Sequence, residues 1–183
     1  MAEKPLTPCI KKVVILGPES TGKSTLSSAL AQHFHTSWAV EYAREYIEQL
    51  DRSYIESDLL KIAKGQVATE ESAIEKASNG ITFFDTNLFV IKVWSEHRFK
   101  NCHPWILEQI AQRPYDLYLL ADVDMPWEYD PQREYPELEM RSYFFELYKS
   151  LAAESGVPSV VISGNEEERL KAAIVAIGKY LSR

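Results

Sequence analysis

The chain has little of what builds metal sites, disulfide frameworks or membrane spans. Only two cysteines, Cys9 and Cys102, occur in 183 residues. They make no metal-ligand spacing and no disulfide framework, which points to a reducing cytoplasm. The four histidines also lack ligand spacing. No apolar run approaches the roughly 20 residues that a membrane helix needs. Residues 1–12 carry lysines and prolines but no apolar signal-peptide core. Lys and Arg number 20 against 27 Asp and Glu, a net charge of −7, and no basic block stands out. A nucleic-acid backbone is therefore not expected as a main partner. Glycine is scarce too, with seven in all, so two glycines close together in one short stretch carry information.

What is present reads as one globular domain. Hydrophobic residues make up 45% and charged residues 26% of the chain, enough apolar material for a full core at this length. Pro5 and Pro8 disfavour helix, so residues 1–10 read as a disordered lead and 11–183 as a single domain.

Gly17-Pro18-Glu19-Ser20-Thr21-Gly22-Lys23-Ser24-Thr25 contains the pattern G-x-x-x-x-G-K-[ST] of a phosphate-binding P-loop. Before it, Val13-Val14-Ile15-Leu16 reads as a buried strand. After it, Leu26, Leu30 and Phe34 recur every four residues, as on one face of a helix. Phosphate binding needs this strand–loop–helix order. Glycines let the backbone wrap an anion, and successive N–H groups at a helix N-terminus present partial positive charge to it. Lys23 adds a full charge at the β- and γ-phosphates, and Ser24 offers a hydroxyl to Mg²⁺. ATP and Mg²⁺ are the implied cofactors.

The remainder alternates strand and helix. Strands are expected over Lys12–Leu16, Ser37–Glu41, Gly80–Asp85, Asp116–Ala121 and Ser159–Ser163. Helices are expected between them, over Asp58–Ala77 with Ser57 as N-cap, Leu88–Phe99, Trp105–Gln112, Leu138–Glu154 and Glu166–Leu181. Repeated βα units predict an α/β fold, a five-stranded parallel sheet with helices on both faces. Ligands then gather at the carboxyl ends of the strands.

Those ends carry the candidate chemistry. Phe83-Phe84-Asp85 is an apolar run ending in a carboxylate, as a Walker-B position requires for Mg²⁺. Asp85 also fits the N-cap of the following helix. Glu41 fits a solvated helix start, or a carboxylate that accepts a proton from an acceptor hydroxyl. Arg44 fits a phosphate contact or an ion pair with Glu41 or Glu45. Residues 122–133 hold two prolines, aromatic residues and alternating charges. They read as a lid that closes over ATP and brings in Arg133, rather than as a minimal connection. Arg141 fits a second phosphate contact or a surface pair with Glu137. The loop at Gly164-Asn165 suits a position beside adenine, and the acidic run Glu166-Glu167-Glu168 suits a helix first turn.

These residues resemble the ribosylnicotinamide kinase domain of NadR-type regulators, a P-loop kinase family. The matching pieces are the P-loop, Glu41-Tyr42-Ala43-Arg44-Glu45-Tyr46, Asp58 with Ala63 and Gln66, and Phe84-Asp85-Thr86. Pro126-Trp127 with Asp130 and Arg133, then Gly164 and Arg169, complete them. The resemblance spans nearly the whole chain after Ile10. The family tends to read Asp-Thr-Asp where this chain has Asp85-Thr86-Asn87. Full-length relatives carry further domains, so a free-standing kinase domain is expected. The resemblance implies transfer of the ATP γ-phosphate to the ribose 5′-hydroxyl of nicotinamide riboside, giving nicotinamide mononucleotide in NAD salvage. Lys23, Asp85, Glu41 and Arg133 would be catalytic. Glu41, Tyr42, Arg44, Asp85, Asn87, Trp94 and Trp127 would meet the acceptor.

A cationic pyridinium ring suits an aromatic face, with about 0.5–2 kcal/mol available. Tyr42, Trp94 and Trp127 are candidates for that face, or else core residues. A monophosphate acceptor would instead need several arginines near the second and third strand ends, where only Arg44 and Arg98 are close in sequence. Two other readings stay open: a P-loop kinase with a different acceptor, and an ATP-binding sensor with little turnover.

Overall fold

A computed structural model describes residues 9–181. The lead expected over 1–10 lies outside the described residues except for Cys9 and Ile10. The elements run β1 (Lys11–Leu16), α1 (Lys23–His33), β2 (Trp38–Ala39), α2 (Tyr42–Glu48), α3 (Glu56–Glu75) and β3 (Ile81–Asp85). Then come α4 (Leu88–Phe99), α5 (Pro104–Gln112), β4 (Leu117–Ala121), α6 (Leu138–Glu154), β5 (Ser159–Ile162) and α7 (Glu166–Leu181). The sheet order is β2-β3-β1-β4-β5, and every pair is parallel. β1 is central, with Val13 opposite both Phe83 and Leu117. This is the expected α/β/α architecture.

The period of two in β1 divides the core. Val13 and Ile15 pack with Leu26 and Leu30 of α1 and Ala173 and Ile177 of α7. Val14 and Leu16 face the other way, onto Phe89 and Val90 of α4 and Phe144 and Tyr148 of α6. A third cluster joins α2, α3, α4 and α5 through Ala43, Leu59, Ile62, Leu88 and Ile106. Val13–Leu16 of β1 and all of β3 and β4 are buried, and they are mostly apolar because both sheet faces are covered.

Three local expectations are corrected. β2 is two residues long rather than Ser37–Glu41. It is an edge strand with one neighbour, and the Ser37 hydroxyl turns aside to the Ala73 carbonyl at 2.6 Å. Glu41 becomes the N-cap of α2, a helix the strand pattern did not resolve. Ser57 is not a cap. α3 starts after Ile55, and Asp58 at its third position takes the Ile55 N–H at 3.0 Å. The buried Asp58 carboxylate also binds Arg52 at 2.7 Å and the Tyr46 hydroxyl at 2.9 Å. These bonds hold it well below the usual carboxylate range.

Candidate active site

The P-loop leaves β1 through a position where only glycine fits. A Cβ on Gly17 would lie 2.7 Å from the Ala121 carbonyl oxygen at the end of β4. Gly22 then enters α1 with φ of 70° in the left-handed region, a conformation glycine adopts without strain. Two buried arginines grip the loop by its carbonyls. Arg141 donates to the carbonyls of Glu19 at 3.2 Å, Ser20 at 3.0 Å and Met125 at 3.1 Å. Arg169 donates to Thr21 at 3.0 Å, Gly164 at 2.7 Å and Asp122 at 3.1 Å, and pairs with Asp124. Among the described residues, no backbone N–H from Glu19 to Ser24 donates to a protein acceptor. The carbonyl side of the loop is satisfied, and its N–H groups remain for an anion. Lys23 Nζ rests on the Pro18 carbonyl at 2.8 Å.

Arg141 is thus neither on the surface nor paired with Glu137. It is 3% exposed and braces the loop that binds phosphate. Arg169, matched only through the family pattern, does the same from α7.

Asp85 ends β3 opposite Ile15 of β1, and the next N–H, on Thr86, bonds the Ile15 carbonyl at 3.1 Å. Thr86 has φ of 67°, a strained conformation for a β-branched residue. Asn87 follows as the N-cap of α4, its Oδ1 accepting from Phe89 N at 3.0 Å. The capping role that Asp85 also fitted therefore belongs to Asn87. Asp85 is 1% exposed, and its Oδ1 has no hydrogen-bond partner. Burial pushes its pKa up, while Lys23 and the Ser24 hydroxyl draw it back. Glu41 is also raised, by burial and by the Asp85 charge, against the pull of Lys23 and Arg44. Two carboxylates and one ammonium therefore share one electrostatic site beside the loop.

Residues 122–137 form no helix or strand and lie over the P-loop. Ser20 Oγ accepts from Glu128 N at 2.9 Å. The Glu19 carboxylate accepts from Glu134 N at 2.9 Å and Tyr135 N at 3.1 Å. Arg133 donates to the Glu128 carbonyl and, at 3.3 Å, to Ser20 Oγ. On the far side Arg44 pairs with Asp130 at 2.6 Å and with Glu48 at 3.6 Å, not with Glu41 or Glu45. Beneath this segment lies a cavity of about 160 Å³ that includes the whole P-loop, Glu41, Arg44 and Arg133.

The AAA domain family profile matches residues 12–169. The chain belongs to this family. It is homologous to the trifunctional NAD biosynthesis/regulator protein NadR of Escherichia coli (strain K12), 31% identical over 165 residues. The match covers 87% of this chain and 39% of that protein, so the chain spans about two fifths of its relative's length. A solved structure of NadR in complex with NR superposes with a TM-score of 0.76 at 26% identity, covering 96% of this chain and 52% of that one. Another, with NAD and AMP-PNP, gives 0.74 at 26% identity, covering 96% and 50%. The P-loop kinase fold is shared with both.

Within this AAA-family domain the aromatic residues are sorted differently from expectation. Trp94 reaches the cavity, together with Val90, Tyr135, Phe144 and Tyr148. A second chamber of about 200 Å³ adjoins it, sharing Trp94, Tyr135 and Phe144 and adding Tyr54, His97 and Arg98. Tyr54 stacks on Trp94 with centroids 6.1 Å apart. Tyr42 and Trp127 do not line either chamber. Tyr42 packs its ring over Gly65 of α3, and Trp127 sits edge-on to Tyr129 in the loop above. Asn87 and Asp85 do not line them either; Asp85 lies buried beneath the P-loop side of the site. Tyr135, Phe144 and Tyr148 gave no signal in the sequence, since Phe144 and Tyr148 sit at the i, i+4 spacing of ordinary core residues. A third, more apolar cavity of about 300 Å³ lies between α1 and α7 at Met125, Leu26 and Leu170. It stands beside the loop expected to meet adenine.

Proposed function

We propose that the protein is an ATP-dependent kinase that phosphorylates the ribose 5′-hydroxyl of nicotinamide riboside. One observation carries this reading. A P-loop with unspent N–H groups opens into the same cavity as the Glu41 carboxylate, and that cavity runs on into an aromatic chamber. Homology to NadR, including a NadR structure bound to NR, supports the choice of acceptor.

The residues divide the work. The N–H groups of residues 19–24 and Lys23 hold the β- and γ-phosphates. The unpartnered Asp85 Oδ1 and the neighbouring Ser24 hydroxyl fit a hard divalent cation such as Mg²⁺. When bound, that ion neutralises charge on the phosphates. Glu41 accepts the proton of the attacking hydroxyl, and its raised pKa suits a base working near neutrality. Arg133 moves from the Glu128 carbonyl to the transferring phosphoryl group. The loop at 122–137 acts as the lid that excludes water. Trp94 and Tyr54 offer faces for the pyridinium ring.

A second reading, a phosphorylated acceptor, is favoured by Arg98. It lines the second chamber, lies over the Tyr54 ring at 5.7 Å and has no carboxylate within 4.0 Å among the described residues. A kinase assay with ATP and Mg²⁺ over nicotinamide riboside, other nucleosides and nucleoside monophosphates, with products identified by mass, separates the readings. Nicotinamide riboside is expected to be turned over best. Activity confined to a monophosphate selects the second reading, and tight ATP binding without turnover selects a sensor.

A further inference from the structure

The proton acceptor of the proposed reaction, Glu41, stands on a weakly anchored stretch of chain. β2 is two residues long and pairs with one neighbour only. Val40, just before Glu41, is 45% exposed. Glu41 is the N-cap of α2, yet its side chain makes no capping bond. The first N–H of α2, on Tyr42, is among the donors that a helix cannot satisfy internally. A side chain from another helix takes it: Gln66 Oε1 on α3 accepts it at 3.0 Å. Gln66 is 1% exposed, so this bond is shielded from water.

The second contact is steric. A Cβ on Gly65 would overlap the Tyr42 ring, well inside van der Waals contact. Gly65 lies in the middle of the 20-residue α3, where glycine is less favourable than alanine. The ring fills the notch that the glycine leaves. Adjacent residues of α3 therefore grip Tyr42 twice, once by its backbone N–H and once by its ring. The peptide held in this way is the one that carries Glu41.

We propose that Gly65 and Gln66 form a positioning site for Glu41, fixing the Glu41–Tyr42 peptide so that the carboxylate stays beside Lys23 and Asp85. Neither residue lines the cavity, and neither touches the reacting atoms. They act through Tyr42. The inference rests on the kinase reading above and adds to it the element that aims the base.

The test is a double-mutant cycle. Gln66→Leu removes the acceptor at similar volume. A displacement of about 1 Å can cost on the order of 100-fold in rate, so kcat is expected to fall roughly 10- to 100-fold. Affinity for a non-hydrolysable ATP analogue, measured by titration, is expected to stay unchanged, because the P-loop is braced elsewhere. In a Glu41→Gln background, Gln66→Leu is expected to cost nothing further.

Equal losses in both backgrounds would make Gln66 merely structural and overturn the proposal. So would a parallel loss of nucleotide affinity, or full kcat in a folded Gln66→Leu protein. Should that variant not fold, Gly65→Ala tests the same device. It is expected to lower kcat, and adding Tyr42→Leu to make room is expected to restore part of it. No restoration overturns the proposal. A wild-type protein with no phosphotransfer to any acceptor removes the kinase reading and this inference together. Wild-type turnover with a silent or additive Gln66→Leu removes only the inference.

Discussion

The phosphate end and the lid end of the cavity are held by different means. The P-loop carbonyls are bonded by Arg141 and Arg169, which are 3% and 2% exposed. The same two arginines also hold the start of the overlying loop, at Asp122, Asp124 and Met125, whereas its outer part, residues 128–135, is tied down by Ser20, by the Glu19 carboxylate and by an Arg44–Asp130 pair whose arginine side chain is 51% exposed. Buried charge-assisted bonds are costly to break, whereas exposed pairs contribute about 0–1 kcal/mol. On the kinase reading proposed above, the arginine-braced cradle is preorganised, and residues 128–135 are the part of the loop whose contacts are weak enough to reopen. A kinase needs both, because its substrate must enter a site whose dipoles are already in place.

The largest expected effect is at the cradle. Lys23→Ala should lower phosphoryl transfer at least about 10³-fold without unfolding the protein, because it removes positive charge where the transition state needs it. Single-turnover assays with circular dichroism on the same sample check this, and near-normal turnover by a folded variant would remove the P-loop assignment. Next is the lid arginine. Arg133→Ala should reduce kcat on the order of 10³-fold with little change in the KM for ATP. A pure KM effect would make Arg133 a ground-state contact and place it on the cradle side of the comparison.

Asp85→Asn keeps the shape and removes the charge. The Mg²⁺ dependence of the rate should shift by about 10- to 100-fold while nucleotide affinity changes less. An unchanged Mg²⁺ titration would leave Asp85 without a metal role. The smallest effects separate the two regions most directly. Arg169→Ala leaves several buried acceptors unpaired and should lower unfolding stability by about 3 kcal/mol in urea titration. Arg44→Ala should cost under about 1 kcal/mol in the same experiment, yet raise the exposure of the lid backbone to hydrogen exchange. Equal stability losses at Arg169 and Arg44 would erase the distinction between a rigid cradle and a latched lid.

Much of the fold was legible because its signals are local. The G-x-x-x-x-G-K-[ST] spacing, the apolar run ending in Asp85, and the boundaries of α4, α6 and α7 depend on neighbours in sequence, and they were read correctly. Lys23, Ser24 and Glu41 were singled out by type and order alone, and they line one cavity because a parallel sheet delivers strand ends to one edge. What the tertiary structure decided were the partners that come from far along the chain. Asp85 suited a cap in the sequence, and only the packed turn at Thr86 assigned the cap to Asn87 instead. Arg141 fitted a phosphate contact or a surface pair with Glu137, and its actual place went unread, because no local pattern reveals that its guanidinium meets carbonyls about 120 positions away. Tyr42 and Trp127 were expected at the acceptor for their aromatic character, while the cavity is lined instead by Phe144 and Tyr148, placed where α6 crosses the sheet, and by Tyr135 from the loop before it. Short-range spacing encodes which backbone groups turn and which side chains repeat on a face. Which face meets which is settled only when burial and steric fit act across the whole molecule, as at the notch of Gly65 that receives Tyr42.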